Sequence, residues 1–217
     1  ARRGDMKQMA DWYWRGYDAG DLDCKVEVGA MFLYGVEGSV LKNEKKGFQI
    51  IEEAYQAGNQ AAIWRLGQCY LEGLGTSKNP YKAFALFKEG SSVSPTSKFL
   101  LGQMYLQGLG TEKDERTGLV LVEEAASVSD NPVPKFALGK AYATGVWGVG
   151  IDNAKAVKLF EQSALEGYDK AMLELGRAYY FGTMVKEDKL AAKKWLQMAK
   201  EKGVKEAGEL LEKIDNQ

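Results

Sequence analysis

The chain has no histidine in 217 residues. That absence removes Ser-His and Cys-His nucleophile pairs and most transition-metal sites together. Cysteine is nearly absent as well, and Cys24 and Cys69 alone cannot make a disulfide framework. An excess of one charge is also missing. Twenty-nine basic residues face 30 acidic ones, a formal net charge of −1, so no electrostatic footprint for nucleic acid is visible. No stretch approaches the roughly 20 apolar residues of a membrane span, and no signal-peptide pattern opens the chain. The first residue is Ala1 rather than Met, which implies a trimmed or mature form. Proline is scarce, with four residues, and this favours helix.

Glycine, by contrast, is plentiful: 25 residues. In a helical chain that number makes sense only at fixed structural positions. One phrase recurs five times, as Val28-Gly29-Ala30-Met31-Phe32, Leu66-Gly67-Gln68-Cys69-Tyr70, Leu101-Gly102-Gln103-Met104-Tyr105, Leu138-Gly139-Lys140-Ala141-Tyr142 and Leu175-Gly176-Arg177-Ala178-Tyr179. The steps from glycine to glycine are 38, 35, 37 and 37 residues. A second glycine follows each phrase at one distance: Gly35, Gly73, Gly108, Gly145 and Gly182. A repeat of this length is the mark of stacked supersecondary units.

Apolar residues fall at i, i+4 and i+8, as in Ala62, Leu66 and Tyr70, which is one face of a helix. The glycine inside that helix costs about 1 kcal/mol relative to alanine. Five such costs persist only if closer packing offsets them. The second glycine is placed to end the helix in the left-handed C′ conformation. An N-cap candidate then precedes another apolar helix in every copy: Asn43, Asn79, Asp114, Asp152 and Asp188. Each unit is therefore helix A, loop, helix B, turn, and neither helix buries its apolar face without its neighbours. Trp12 to Gly20 reads as a leading helix B, and Ala207 with Leu211 as a trailing helix A.

The pattern A-x3-L-G-x2-Y-x2-G, followed by D/N-x3-A-x2-W/L-x3-A-A-x3-G, resembles the Sel-1-like repeat, a relative of the tetratricopeptide repeat. Ala171 to Gly182 and Asp188 to Gly203 match it almost letter for letter. The resemblance covers about residues 9–211 and implies an all-α, right-handed α-α superhelix, a solenoid of five helix-turn-helix repeats with a leading and a trailing helix. The expected organisation is a single repeat domain over 1–217. Its leading helix lies at about 5–20, its repeats at about 21–58, 59–94, 95–129, 130–167 and 168–203, and its capping helix at about 204–215. The third unit departs from the pattern, with Ser94-Pro95 and Ser129 at turn glycine positions and Pro134 in place of alanine. Cys24 and Cys69 lie out of register on adjacent A helices and are expected to stay reduced.

The loops give no cofactor signal. Gly73-Leu74-Gly75-Thr76-Ser77-Lys78 lacks the spacing of a phosphate loop and recurs in register as Gly108 to Lys113, so it is structural. Gly145 to Gly150 precedes a helix rather than following a strand, and misses the dinucleotide fingerprint. The acidic pairs Glu52-Glu53 and Glu123-Glu124 cannot face one another within a helix and read as a solvated outer face. Arg3-Gly4-Asp5 near the start carries no weight.

At 100° per residue, one stripe of each A helix remains after the core positions are assigned. It contains Arg65, Gln68 and Glu72 in the second unit, and Tyr34, Gln103, Gln107, Lys140, Arg177 and Phe181 among their counterparts. The resemblance places A helices on the concave surface, so these residues, with Trp147 in the lengthened fourth loop, form the expected partner-binding groove. Arg and aromatic residues are common interface anchors. Exchange of both Arg65 and Arg177 for Glu is then expected to abolish binding without changing melting. The resemblance implies a non-catalytic scaffold or adaptor for a protein partner, monomeric, with no nucleic acid and no membrane insertion. A bacterial immunity protein that neutralises a toxin is an alternative. A binder of small ligands such as cell-wall sugars, or an enzyme, is a third, though no convergent carboxylates are apparent.

Overall fold

A computed structural model describes residues 3–216. Ala1, on which the expectation of a trimmed form rests, lies outside them. Arg3-Gly4-Asp5 belongs to the first turn of a helix. The chain forms two compact units, Ala1–Asp114 and Glu115–Gln217. The first holds α1 (Arg3–Asp18), α2 (Leu22–Tyr34), α3 (Glu44–Gln56), α4 (Gln60–Glu72), α5 (Pro80–Gly90) and α6 (Pro95–Gln107). The second holds α7 (Glu115–Val128), α8 (Pro132–Thr144), α9 (Asn153–Leu165), α10 (Asp169–Phe181), α11 (Lys189–Glu201) and α12 (Lys205–Asp215). No strand occurs among the described residues beyond one isolated antiparallel bridge, Val36 to Val40. The fold is all-α and built from helix-turn-helix repeats.

The recurring glycine is where the two helices of a repeat meet. A Cβ on Gly67 would lie 2.5 Å from Phe87 Cε1, and one on Gly176 2.5 Å from Leu196 Cδ2. Gly139 stands in the same relation to Phe160, at 2.7 Å, and Gly29 to Ile51 Cγ1, at 2.6 Å. Each of these bulky residues is fully buried. The glycine is thus the socket for a bulky, fully buried side chain of the partner helix, and the lost helix propensity is offset by that burial.

Successive repeats meet through small residues. The first position of the A-helix face, occupied by Ala62, Ser97, Ala171 and Ala207, is fully buried. A Cβ on Gly90, near the end of α5, would stand 2.6 Å from Ser97 Oγ. Within the fourth repeat, Ser163 of α9 is fully buried, and its hydroxyl donates to the Pro132 carbonyl at the start of α8 at 2.9 Å.

The A–B loops close in one way throughout. The backbone N–H of Asn43, Asn79, Asp114, Asp152 and Asp188 donates to the carbonyl of Phe32, Tyr70, Tyr105, Tyr142 and Tyr179 respectively, at 2.7 to 3.0 Å. The side chains of Asn43, Asn79, Asp152 and Asp188 then accept from the first turn of α3, α5, α9 and α11, satisfying orphan amides there. Gly73, Gly108, Gly145 and Gly182 adopt the expected left-handed conformation. Gly35 does not: its φ is 78° but its ψ is 158°. The chain there must turn directly into the Val36–Val40 bridge, which a left-handed residue would misdirect.

The third repeat solves its turns with hydroxyls. Ser94 caps α6 by accepting from Ser97 N–H at 3.2 Å. Ser129 Oγ accepts from Asn131 N–H at 3.0 Å, and Asn131 in turn caps α8. Pro95 and Pro132 stand at the first helical position, where a missing N–H is harmless.

A lysine three residues after the cap is a further shared element. Lys46 Nζ lies 4.2 Å from the Phe32 ring centroid, Lys82 4.9 Å from Tyr70, and Lys155 3.9 Å from Tyr142. Each ammonium lies close to the ring of the repeat's aromatic residue, and Lys155 Nζ also donates to the Tyr142 hydroxyl. The same aromatic position meets a ring of the preceding helix in a T-shaped contact, as Tyr70 does with Phe48 and Tyr105 with Phe84.

Candidate interaction surface

The stripe expected to bind a partner is best followed within each unit. In the first, Tyr34 ends α2 with 48% of its surface exposed. Glu72 and Gln107 end α4 and α6 and are exposed, while Gln68 and Gln103 are half-buried. Gln68 Nε2 donates to Glu72 Oε1 at 2.8 Å, one turn apart on α4. Partial burial and the Glu72 charge raise the Tyr34 phenol above its ordinary value, with Arg65 opposing them.

Arg65 is a different kind of residue. Only 19% of its side chain is exposed. Its guanidinium lies 4.1 Å from the Trp64 ring centroid, and Nη2 donates to both carboxylate oxygens of Glu27 at 3.3 and 3.4 Å. Arg65 therefore ties α4 to α2. The expectation that Arg65→Glu leaves melting untouched is corrected by this geometry, because the new carboxylate would face Glu27.

In the second unit, Lys140 Nζ reaches Glu174 Oε1 at 3.4 Å and Arg177 Nη1 reaches Glu206 Oε1 at 3.4 Å. These pairs connect α8 to α10 and α10 to α12. Both are well solvated, and each contributes about 0–1 kcal/mol. Phe181 ends α10 at 57% exposure, its ring centroid 4.7 Å from that of Tyr180. Tyr34 and Phe181 occupy the same register position, at the last residue of an A helix. Trp147 is half-buried in the loop between α8 and α9, with φ at 63°. No other described non-glycine residue has positive φ, and a bulky side chain in that region is strained.

Reading the stripe residue by residue missed its internal pairing. The available signal was opposite charge on the stripes of consecutive A helices, at one register position for Glu27 with Arg65 and at neighbouring ones for Lys140 with Glu174. The outer face of the B helices also differs from expectation. Glu53 is exposed and pairs with Lys25 at 2.7 Å. Glu52 and Glu123, however, are half-buried in clefts between consecutive B helices, and Glu123 accepts from the Tyr142 hydroxyl at 3.2 Å. Among the described residues no group of three or more cysteine, aspartate or glutamate side chains is placed to hold a metal ion. No helix there is long and apolar enough to cross a membrane.

A family model described as Sel1 repeat matches residues 23–59, 60–92, 95–130, 135–168 and 169–204. Among solved structures, a Sel1 repeat protein from Oxalobacter formigenes aligns with a TM-score of 0.75 at 24% identity, over 94% of this chain and 58% of that one. A protective antigen with an SLR fold from uropathogenic Escherichia coli aligns with a TM-score of 0.69 at 24% identity, over 95% of this chain and 44% of that one. An immunity protein from Pseudomonas aeruginosa aligns with a TM-score of 0.60 at 22% identity, over 82% of this chain and 64% of that one. The chain thus spans 58% and 44% of the length of the first two. A search of curated proteins gave no match.

Proposed function

The chain belongs to the Sel1 repeat family, and we propose that it is a non-catalytic scaffold that holds a protein partner along the stripe of its A helices. The observation that carries this reading is the pair Tyr34 and Phe181. Both are aromatic, both lie at the end of an A helix, and they are exposed by 48% and 57%. At the same register the other repeats carry Glu72, Gln107 and Thr144. The core positions hold apolar or small residues in every repeat, whereas this position varies freely, as a surface matched to one partner requires. Exposed rings flanked by internally paired charges supply apolar anchors inside a polar surround.

Within that reading, Tyr34, Gln68, Glu72, Gln103 and Gln107 form the contact set of the first unit. Lys140, Arg177, Phe181 and Trp147 form that of the second. Arg65, 19% exposed, borders this set while holding its helix in place.

A narrower form is neutralisation of a toxin. It is supported by the description of two SLR-fold neighbours from Pseudomonas aeruginosa, 22% and 20% identical, as immunity proteins. Affinity separates the two forms, since an immunity role requires nanomolar or tighter binding to one protein encoded nearby.

The test is affinity capture from the native host, read by mass spectrometry, with wild-type protein and a Tyr34→Ala/Phe181→Ala variant. A partner enriched by the wild type and lost by the variant, at unchanged helicity and melting, supports the stripe. Equal enrichment by both sinks it.

A further inference from the structure

Helices α3 and α5, consecutive B helices of the first unit, flank a groove that the A-helix stripe does not include. A hydrogen bond from the Tyr55 hydroxyl of α3 to Glu89 Oε2 of α5, 3.0 Å long, spans it. On one side lies a cavity of about 290 Å³. Leu66 and Leu86 form its apolar base, Tyr55 and Tyr70 line it, and Glu52 and Glu89 flank it from α3 and α5. A second cavity of about 270 Å³ continues on the far side of the same bond, toward Asn59 and Val93.

We propose that the first cavity receives an arginine side chain presented by a partner protein. Two carboxylates approach it from opposite helices. One cation is already present, but the Lys82 ammonium is held against the Tyr70 ring at 4.9 Å, and a negative excess remains. The bond from Tyr55 fixes one Glu89 oxygen and leaves the other for a ligand. A planar guanidinium suits this arrangement better than an ammonium, because it stacks on an aromatic face and also donates to carboxylates in two directions. The volume is at the small end for ligand sites, fit for one side chain rather than a larger molecule.

The second unit supplies an internal comparison. A cavity of about 250 Å³ occurs at the same register position, between α7 and α9. There Glu123 stands where Glu52 does, but Ala126 replaces Tyr55 and Gln162 replaces Glu89. Lys135 enters the lining, paired with Glu166 at 2.9 Å. Repeat packing therefore produces the hollow by itself and demands neither the tyrosine nor the second carboxylate. Those two residues give the first cavity its charge and its stacking wall: Glu89 is exposed, and Tyr55 is half-buried and packs against the core.

The test is titration of 15N-labelled protein with the blocked peptide acetyl-Gly-Arg-Gly-amide and with its citrulline counterpart, which keeps the shape and loses the charge. Saturable amide shifts confined to residues 52–56 and 85–89, with the citrulline peptide weaker by about tenfold or more, are expected. Glu52→Gln and Glu89→Gln should each weaken arginine binding by about tenfold without altering thermal unfolding. Equal binding of the two peptides, shifts centred elsewhere, or no saturable shift up to about 20 mM peptide overturns the assignment. The Tyr34→Ala/Phe181→Ala variant should bind the arginine peptide as wild type does, so failure here is distinct from failure of the A-helix stripe.

Discussion

The Phe87 ring of α5 rests directly on the backbone of Gly67 in α4, leaving no room for even a methyl group between them. A Cβ at that position would stand 2.5, 2.9 and 3.0 Å from three atoms of the same ring. The ring is fully buried and cannot swing clear.

Gly67→Ala is therefore expected to destabilise the protein by about 1–3 kcal/mol, despite the higher helix propensity of alanine. Gly208 provides the control. It also lies inside a helix, but a Cβ there would meet only the far end of Lys200, at 3.9 Å. Gly208→Ala should stabilise by about 0.5–1 kcal/mol. Urea unfolding followed by circular dichroism measures both, and equal signs for the two variants would contradict the socket description.

Arg65→Glu should lower stability by about 1 kcal/mol through repulsion from Glu27 and loss of stacking on Trp64. The exchanged pair, Glu27→Arg with Arg65→Glu, should recover part of the loss. A double-mutant cycle on the same unfolding curves gives the coupling, and a coupling of zero would show that the two side chains do not interact.

Burial, with the Glu72 charge adding to it and Arg65 opposing, pushes the Cys69 thiol from 9.0 up to about 12. The folded protein thus holds this proton more tightly than the unfolded chain. The contribution to stability is complete below pH 9 and is lost as pH rises toward 12, at about 1.4 kcal/mol per pH unit. Cys69→Ala removes the group, so wild type should lose stability faster than the variant between pH 9 and 11. At pH 8, iodoacetamide should modify Cys69 only on unfolding, as mass spectrometry of the alkylated peptides can show. Rapid labelling of native Cys69 would contradict its burial.

Asp188 accepts from the N–H groups of both Leu190 and Ala191, at 2.9 and 3.0 Å. Asp188→Ala should cost about 1 kcal/mol, and Asp188→Asn or Asp188→Ser much less. Thermal unfolding of the three variants orders them, and an alanine variant as stable as the asparagine one would deny the cap its role.

Much of the fold is legible in the sequence because the same physical problem is solved once per repeat. Gly67, Gly139 and Gly176 are visible as glycines at a fixed step, and the reason for them, a ring or a branched side chain from the next helix, follows from sterics. The caps are visible for the same reason. The Lys82–Tyr70 and Lys155–Tyr142 contacts are less so, since they join positions in two helices whose mutual rotation is unknown until they pack. The A-helix stripe is legible as a set of positions, but the state of its members is not. Arg65 and Arg177 both lie on the stripe, at different register positions, yet one is stacked on Trp64 and mostly covered while the other is half exposed, which the register alone does not reveal. Gly35 departs from the other four turn glycines because the first loop contains its own small bridge, a pairing of Val36 with Val40 that no periodicity announces.

The backbone hydrogen bond that closes each A–B connection has a consequence for how such a chain can change. It joins the cap residue to the aromatic carbonyl whether the intervening segment runs from Gly73 to Asn79, from Gly145 to Asp152, or from Gly35 to Asn43. The bend is thus pinned at its base. Above the pin the loops differ: Gly75 and Gly110 lie against the backbone of Glu44 and Pro80, whereas nothing stands within 4 Å of a Cβ on Gly38 or Gly150. Insertions can accumulate at Gly38 and Gly150 without disturbing the register below, which makes these two tips the places where a tag, an epitope or a new recognition loop could be grafted at least cost to the scaffold.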